Sequence, residues 1–504
     1  MLHDDSQETL KARGNELQQR YEAVSGAGLS LDMTRGKPAP EQLDLADPLL
    51  TLPGAGQFHD QENTDCRNYG GIDGLAGMKK LFADILGCQH ADVIVGGNSS
   101  LTMMYDAIAR AVLFGVPGGD KPWGQQGTVR FLCPAPGYDR HFEITGHLGF
   151  ELVNVEMTED GPDMDHVETL VADPSVKGIW CVPRYSNPTG ITYSESVAQR
   201  LATMEATADF RIFWDNAYAE HHFGEERQPV PDILSACRDA GNPDRVLMFT
   251  STSKMTMAGA GVSAMASSPV NINDARRHLS VQTIGPDKLN QLRHLTFFGD
   301  IDGLRAHMTQ VGELLKPKFA LVQEILERDL SGKGIATWSN PSGGYFVSVT
   351  GPDDCARPVI EMAAQAGVKL TPAGAPFARP MAASTSPVQR TRHEPLDRRL
   401  SGHVEPPDLG RRGTGPGAGP HCLFHQRPGG RRPVGRCLPR TRRDVGAGSH
   451  RHPRPRQRDG RRGRPFHPPD RAAEHVPGRR VHHQRPVGGH RPPARHHRRH
   501  PVLP

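Results

Sequence analysis

The chain has 504 residues, 60 Lys plus Arg against 56 Asp plus Glu, a formal net charge of +4 and 8 cysteines. That length predicts two or three domains with ample core, and no run of about 18 apolar residues is present to span a membrane. The cysteines form no C-x-x-C pair and keep no regular spacing, which excludes a zinc site and a disulfide framework and predicts free thiols in a reducing cytoplasm.

The opening "MLHDDSQETLKARGNELQQRYEAV" is charged and patterned as a helix, with no apolar leader. Further on, "DVIVGG" reads as a strand ending in glycines, followed by "SSLTMMYDAIARAVLF" with apolar positions at helical spacing. "VRFLCPAPGY", "FELVNVEM", "GIWCVPRY", "FRIFWDNAY" and "RVLMFTSTSK" read as further strands, separated by helical stretches such as "SESVAQRLATME". Strands alternating with helices predict an α/β fold with a mostly parallel sheet and crossover connections. In such sheets chemistry gathers at the carboxyl ends of the strands.

After Phe377 the composition changes. About 29 arginines and about 8 acidic residues follow it, which leaves roughly −17 on the part before. The tail, residues 378–504, has no Lys, Asn, Ile, Tyr or Trp. As a basic arm it would bind nucleic acid through phosphates. The missing Lys, Asn, Ile and Tyr have AT-rich codons, however, so a shifted reading frame in a GC-rich gene is expected and nucleic-acid binding is not. In neither case does the tail supply a packed core, and disorder is expected there.

The residues that end the strands carry the chemistry. Ser99 and Ser100 in "GGNSSL" open a helix, as a phosphate site or as an ordinary N-cap. Asn187 precedes a proline in "SNPTG", which is a turn signal. Asp215 and Tyr218 follow "FRIFW"; a carboxylate there needs a cationic partner, be it a cofactor, a salt bridge or a cap. Lys254 in "FTSTSKMTMAGAG" stands among small and hydroxylated residues with no charged neighbour, as a surface loop or as a nucleophilic amine. Together these are the set that pyridoxal phosphate (PLP) requires: an amine to make the imine, a carboxylate to keep the ring nitrogen protonated, and a helix start for the phosphate. The rival dinucleotide pattern "GAGVSA" lacks a suitable acidic residue at the end of a second strand.

On "TRGKP", "CRNYGG", "GGNSSL", "PGYDRHF", "YSNPTG", "WDNAY" and "STSK", residues 1 to about 377 resemble the fold type I, class I/II aminotransferases, in particular a bacterial aspartate aminotransferase-like subgroup. The resemblance implies a three-layer PLP-transferase fold: an arm and the start of a small domain over 1–45, a large PLP-binding domain over 46–310, and the rest of the small domain over 311–377. It implies Lys254 as the Schiff-base lysine and proton shuttle, Asp215 as the pyridinium partner, and Asn187 and Tyr218 as partners of the phenolate oxygen. Ser99, Ser100, Ser251 and Ser253 fall where the phosphate is held, and Tyr138 falls where a ring stacks on the cofactor. Tyr69 matches a tyrosine that reaches the phosphate of a neighbouring subunit, so a homodimer is implied. Gly36 corresponds to a backbone position beside the substrate, and Arg35 to a contact with a substrate carboxylate.

The implied activity is amino-group exchange between an amino acid and a 2-oxo acid, with 2-oxoglutarate expected as the acceptor. Two departures are visible. No arginine follows the lysine in "MTMAGAGVS", where many relatives bind the phosphate with one. The family pattern also stops after "AAQAGVKLTPAGAPF", before the strand with the arginine that grips the substrate α-carboxylate. Arg390 and Arg392 in "VQRTRHEP" have no strand-like context and are not assigned that role. Other PLP reactions, such as β-elimination or decarboxylation, remain open. So does a regulator that keeps the PLP domain as a sensor, although only about thirty residues precede "MTRGKP" to hold a DNA-binding module.

Overall fold

The computed structural model describes residues 6–34, 36–224, 227, 229–372, 374–379 and 421–425. A short strand, β1 (Leu31–Asp32), precedes the large sheet. That sheet contains β2 (Val93–Val95), β3 (Arg130–Ala135), β4 (Glu151–Glu156), β5 (Val176–Cys181), β6 (Arg211–Asp215), β7 (Val246–Ser251) and β8 (Ser263–Ser267). Their order is β2-β8-β7-β6-β5-β3-β4. β8 is antiparallel to both β2 and β7, whereas the pairs from β7 to β4 are parallel.

β5, β6 and β7 are buried along their whole length. They read as near-continuous apolar runs because helices cover both sheet faces. The period-2 pleat sorts their side chains. Ile212, Trp214 and Met248 pack into one core on one face, and Phe213, Leu247 and Phe249 into a second core on the other. Each strand predicted from sequence is present. β8 is not predicted: its Ser-Ala-Met-Ala-Ser run has neither β-branched nor aromatic residues. It also disposes of the dinucleotide reading, because "GAGVSA" leads into this strand and not into a helix.

Because β8 turns the chain around, the carboxyl ends of β2, β3, β5, β6 and β7 all lie at one sheet edge. Helix Ser100–Phe114 starts there after β2, burying Met104, Ala107, Ile108, Ala111 and Val112 at helical spacing. Helix Asp139–His147 starts there after β3.

Helix Ile301–Leu330 is capped by Asp300, whose carboxylate accepts from the Asp302 and Gly303 amides, and it runs continuously past residue 310. Beyond it β9 (Thr337–Trp338) pairs antiparallel with β10 (Phe346–Thr350). After helix Ala356–Gln365, β11 (Val368–Lys369) returns parallel to β1 and so brings residues 368–369 beside residues 31–32. In the tail only residues 421–425 are described: β12 (His421–His425) runs parallel to β10, a strand not expected from the sequence. It takes the edge of β10 that β9 leaves open.

Several buried histidines make stability depend on acid. Burial pushes His221 down to about 3 and His294 to about 4, and lowers His307 as well. These folded-state values lie below the ordinary histidine value, so the unfolded chain binds more protons once pH drops below about 6.5. Stability is full above that pH and is lost as pH falls toward 4. At pH 5 His221 and His294 each remove about 2 kcal/mol. The urea midpoint of the cofactor-free protein is expected to fall clearly between pH 7.5 and pH 5.0; equal midpoints would show that these rings gain protons without unfolding the chain.

Candidate active site

Lys254 sits in the turn after β7. Ser251 ends that strand, and the chain reverses through amide bonds from Met255 (2.8 Å) and Thr256 (2.9 Å) to the Thr252 carbonyl. The Thr252 hydroxyl accepts from the Val262 amide at 2.9 Å, closing the loop that returns into β8. Lys254 is half-buried, and its Nζ lies 4.4 Å from the centroid of the Tyr218 ring. Tyr218 itself is buried, and burial raises its phenol.

Asp215 ends β6 and is 4 % exposed. Its Oδ2 lies 3.0 Å from His141 Nε2, while Oδ1 is buried with no hydrogen-bond partner among the described residues. His141 is held between aromatic rings, stacked on Trp180 at 4.5 Å and edge-on to Tyr138 at 4.9 Å. The sequence reading assigns no role to His141. The available signal is its position one turn after Tyr138, on the same face of helix Asp139–His147.

A cavity of about 110 Å³ lies beside Lys254, Tyr218 and Tyr138. Thr34, Gly36, Tyr138, Asn187, Tyr218 and Lys254 line it, with Phe346 and Thr371 from the small domain. Gly36 is required where it stands: a Cβ there would come within 2.8 Å of Phe346 Cζ, and Phe346 is itself buried. At Asp139 and Ala375 the cavity meets a groove of about 930 Å³, lined among others by Tyr105, Arg140, His147, Phe377 and Arg379.

The serines lie along the same sheet edge. Ser99 is the N-cap of helix Ser100–Phe114, yet its side chain makes no capping hydrogen bond. Ser100 and Ser251 are buried. The Ser253 hydroxyl donates to the Asn98 carbonyl at 2.7 Å, and the Ser263 amide and hydroxyl donate to the Gly97 carbonyl at 2.8 and 2.9 Å. Thus the lysine turn and the "GGNSSL" loop are tied together.

Two predicted residues stand apart. Tyr69 is 81 % exposed and is not part of the cavity lining of this chain; Lys288 Nζ donates to the carbonyls of Tyr69 (3.1 Å) and Gly70 (2.9 Å) and fixes that loop. Arg35 lies outside the described residues, as do Arg390 and Arg392. The tail arginine nearest the cavity in sequence is Arg379, which lines the adjoining groove. Among the described residues no group of His, Cys, Asp and Glu is arranged to hold a metal, and no helix is long and apolar enough to cross a membrane.

An α/β sheet with an amine and a buried carboxylate at neighbouring strand ends, beside a helix start with an uncommitted hydroxyl, defines a PLP-dependent transferase of the α/β class. A family model described as aspartate amino-transferase matches residues 5–389, so the chain belongs to the aspartate aminotransferase family, whose cofactor is PLP. It is 47% identical over 377 residues to an aspartate aminotransferase of Corynebacterium glutamicum, covering 75% of this chain and 87% of the relative. A solved aspartate transaminase from Corynebacterium glutamicum superposes with a TM-score of 0.72 at 47% identity, covering 75% of this chain and 89% of that one. The fold extends to an α-aminoadipate aminotransferase of Thermus thermophilus solved with N-(5'-phosphopyridoxyl)-L-leucine, at 21% identity and a TM-score of 0.57 over 71% of this chain and 86% of that one. The residues present fit the cofactor: Asp215 Oδ1 is a buried acceptor without a partner among the described residues, and Lys254 lines the cavity.

Proposed function

We propose that this PLP-dependent aminotransferase takes aspartate as amino donor and 2-oxoglutarate as acceptor. The observation that carries the residue roles is the shared cavity of Lys254, Tyr218, Asn187, Tyr138 and Gly36, with Asp215 buried behind it. When bound, PLP supplies an aldehyde that exchanges the amino group and a ring that draws electrons from the substrate Cα. Lys254, whose amine is the one primary amine among the described lining residues, would anchor that aldehyde and carry the proton at the substrate Cα. Asp215 holds a proton on the ring nitrogen through its free oxygen, while His141 fixes the other. Asn187 and Tyr218 hydrogen-bond the ring oxygen, and Tyr138 covers the ring.

The hydroxyls of Ser99, Ser100, Ser251 and Ser253, with the backbone at the helix start, receive the phosphate. Ser253 also braces Asn98, so part of its contribution is to shape that loop. Gly36 keeps room for the substrate, and Arg35 contacts its carboxylate. Tyr69, exposed on a fixed loop, completes the phosphate site of a second copy, which makes the working unit a homodimer in the cytoplasm. The domains divide as 1–45 with 311–377 around 46–310, and residues 378–504 are the product of a shifted frame.

The test is spectroscopic. The PLP-loaded protein is expected to lose its visible absorbance on addition of L-aspartate and to regain it with 2-oxoglutarate. Bleaching by an aromatic or aliphatic amino acid but not by aspartate would overturn the substrate assignment.

A further inference from the structure

Three consecutive residues of the lysine turn are each held by a buried histidine, and each histidine comes from a different element. His221, in the loop after β6, donates from Nε2 to the Lys254 carbonyl at 3.2 Å. His307, in helix Ile301–Leu330, donates from Nε2 to the Met255 carbonyl at 2.7 Å. His294, in helix Lys288–Phe298, donates from Nδ1 to its own helix at the Asn290 carbonyl (2.8 Å), which leaves Nε2 as an acceptor 3.1 Å from the Thr256 hydroxyl, whose proton it shares with the Thr252 carbonyl, also at 3.1 Å. The three rings are 2 %, 6 % and 0 % exposed. A fourth side chain reaches the same place: the Tyr345 hydroxyl donates to the Lys254 carbonyl at 3.4 Å and accepts from Gln42 at 2.9 Å. Gln42 in turn accepts from the Ala39 amide, close to the segment that carries Gly36.

We propose that His221, His294 and His307 are positioning residues that clamp the turn at 254–256 and so aim the Lys254 side chain into the cavity. The inference rests on the assignment of Lys254 as the amine that holds the cofactor. The carbonyl of a residue fixes its peptide plane and hence the direction in which its side chain leaves the backbone. A long lysine chain on a slack turn would spread its amine over several positions, and reaction rate falls steeply when reacting atoms are misplaced by about 1 Å. Neutral imidazoles suit the task. They are stiff rings with a single donor aimed at each carbonyl, and they add no positive charge beside the Lys254 amine. The aromatic neighbours keep them in register: His221 lies against Tyr218 and Tyr345, and His307 against Phe297 and Phe298.

The clamp is tested without the cofactor. Amide exchange of Met255 and Thr256, whose N–H groups bond to the Thr252 carbonyl, is followed by mass spectrometry in the full chain and in two variants at each of two positions. His221→Phe and His307→Phe keep the ring but remove the donor; both are expected to exchange about tenfold faster at these amides, the scale of one lost hydrogen bond. His221→Gln and His307→Gln return an N–H near the position of Nε2 and are expected to restore most of the protection. Phenylalanine and glutamine variants that exchange alike, whether both fast or both slow, overturn the clamp. Should a phenylalanine variant not fold, the leucine variant at that position replaces it in the same comparison with glutamine. The assignment of Lys254 stands or falls separately, on whether Lys254→Ala still retains the cofactor after borohydride treatment.

Discussion

Lys254→Ala is expected to abolish borohydride-stable attachment of PLP and to slow conversion with aspartate by about four powers of ten or more. The loss has two parts. In the proposed function the amine is the covalent anchor, and among the described residues no other lysine lines the cavity. It is proposed as the base beside the substrate Cα as well, and removal of a placed general base costs about 10²- to 10⁴-fold by itself. The fold should survive, because the residues that hold the turn act on the Lys254 backbone and not on its amine. Added methylamine is expected to recover part of the rate by standing in for the missing amine. Fixation of the cofactor at full stoichiometry in the variant would remove Lys254 from the reaction.

The second large effect falls on Asp215. Asp215→Ala strips His141 of its partner and leaves a buried imidazole nitrogen unpaired, and it removes a buried carboxylate oxygen, Oδ1, that has no hydrogen-bond partner among the described residues. Leaving a buried polar group without its partner costs about 1–3 kcal/mol, and more where the group is charged. The expected results are cofactor affinity down by two to three powers of ten and a half-reaction slowed by at least as much. Asp215→Asn separates the two causes, since the amide oxygen still accepts from His141 while the charge is gone. An asparagine variant with near-normal cofactor affinity but a slow half-reaction places the effect in the charge. An unchanged rate in either variant would make Asp215 a structural residue.

Much of this architecture was legible in the sequence because burial on both faces leaves a strong local mark. The runs Val-Lys-Gly-Ile-Trp-Cys, Arg-Ile-Phe-Trp-Asp and Val-Leu-Met-Phe-Thr-Ser announce β5 to β7 by themselves. The polar residues at or within a few positions of their carboxyl ends, Asn187, Asp215 and Lys254, are therefore placed at one edge before any tertiary contact is known. What the sequence does not announce comes from pairing at long range. Thr34 and Thr371 reach the cavity through the two-residue strands β1 and β11, and the Thr371 hydroxyl donates to the Thr34 carbonyl across 337 positions. Strands that short carry no periodicity. His141, His221, His294 and His307 are missed for a related reason: a single histidine on an apolar element looks the same whether it braces a backbone or fills a core. Its partner decides the difference, and the partners of His221 and His307 lie 33 and 52 positions away.

The antiparallel strand between β2 and β7 has a consequence for synthesis of the chain. β2 pairs only with β8, so Val93, Ile94 and Val95 have no sheet partner until Ala264, Met265 and Ala266 have been made. About 170 residues separate the two, which at bacterial elongation speeds is roughly 10 to 30 s on the ribosome. During that interval an apolar strand and the start of the helix that follows it are exposed on a nascent polypeptide, a natural docking point for a chaperone. The loop at Gly97 then takes its final form in the same event that closes the sheet, because its carbonyl is bonded by Ser263 of the late strand. Any contact made through this loop consequently waits until β8, about halfway along the chain, has been made.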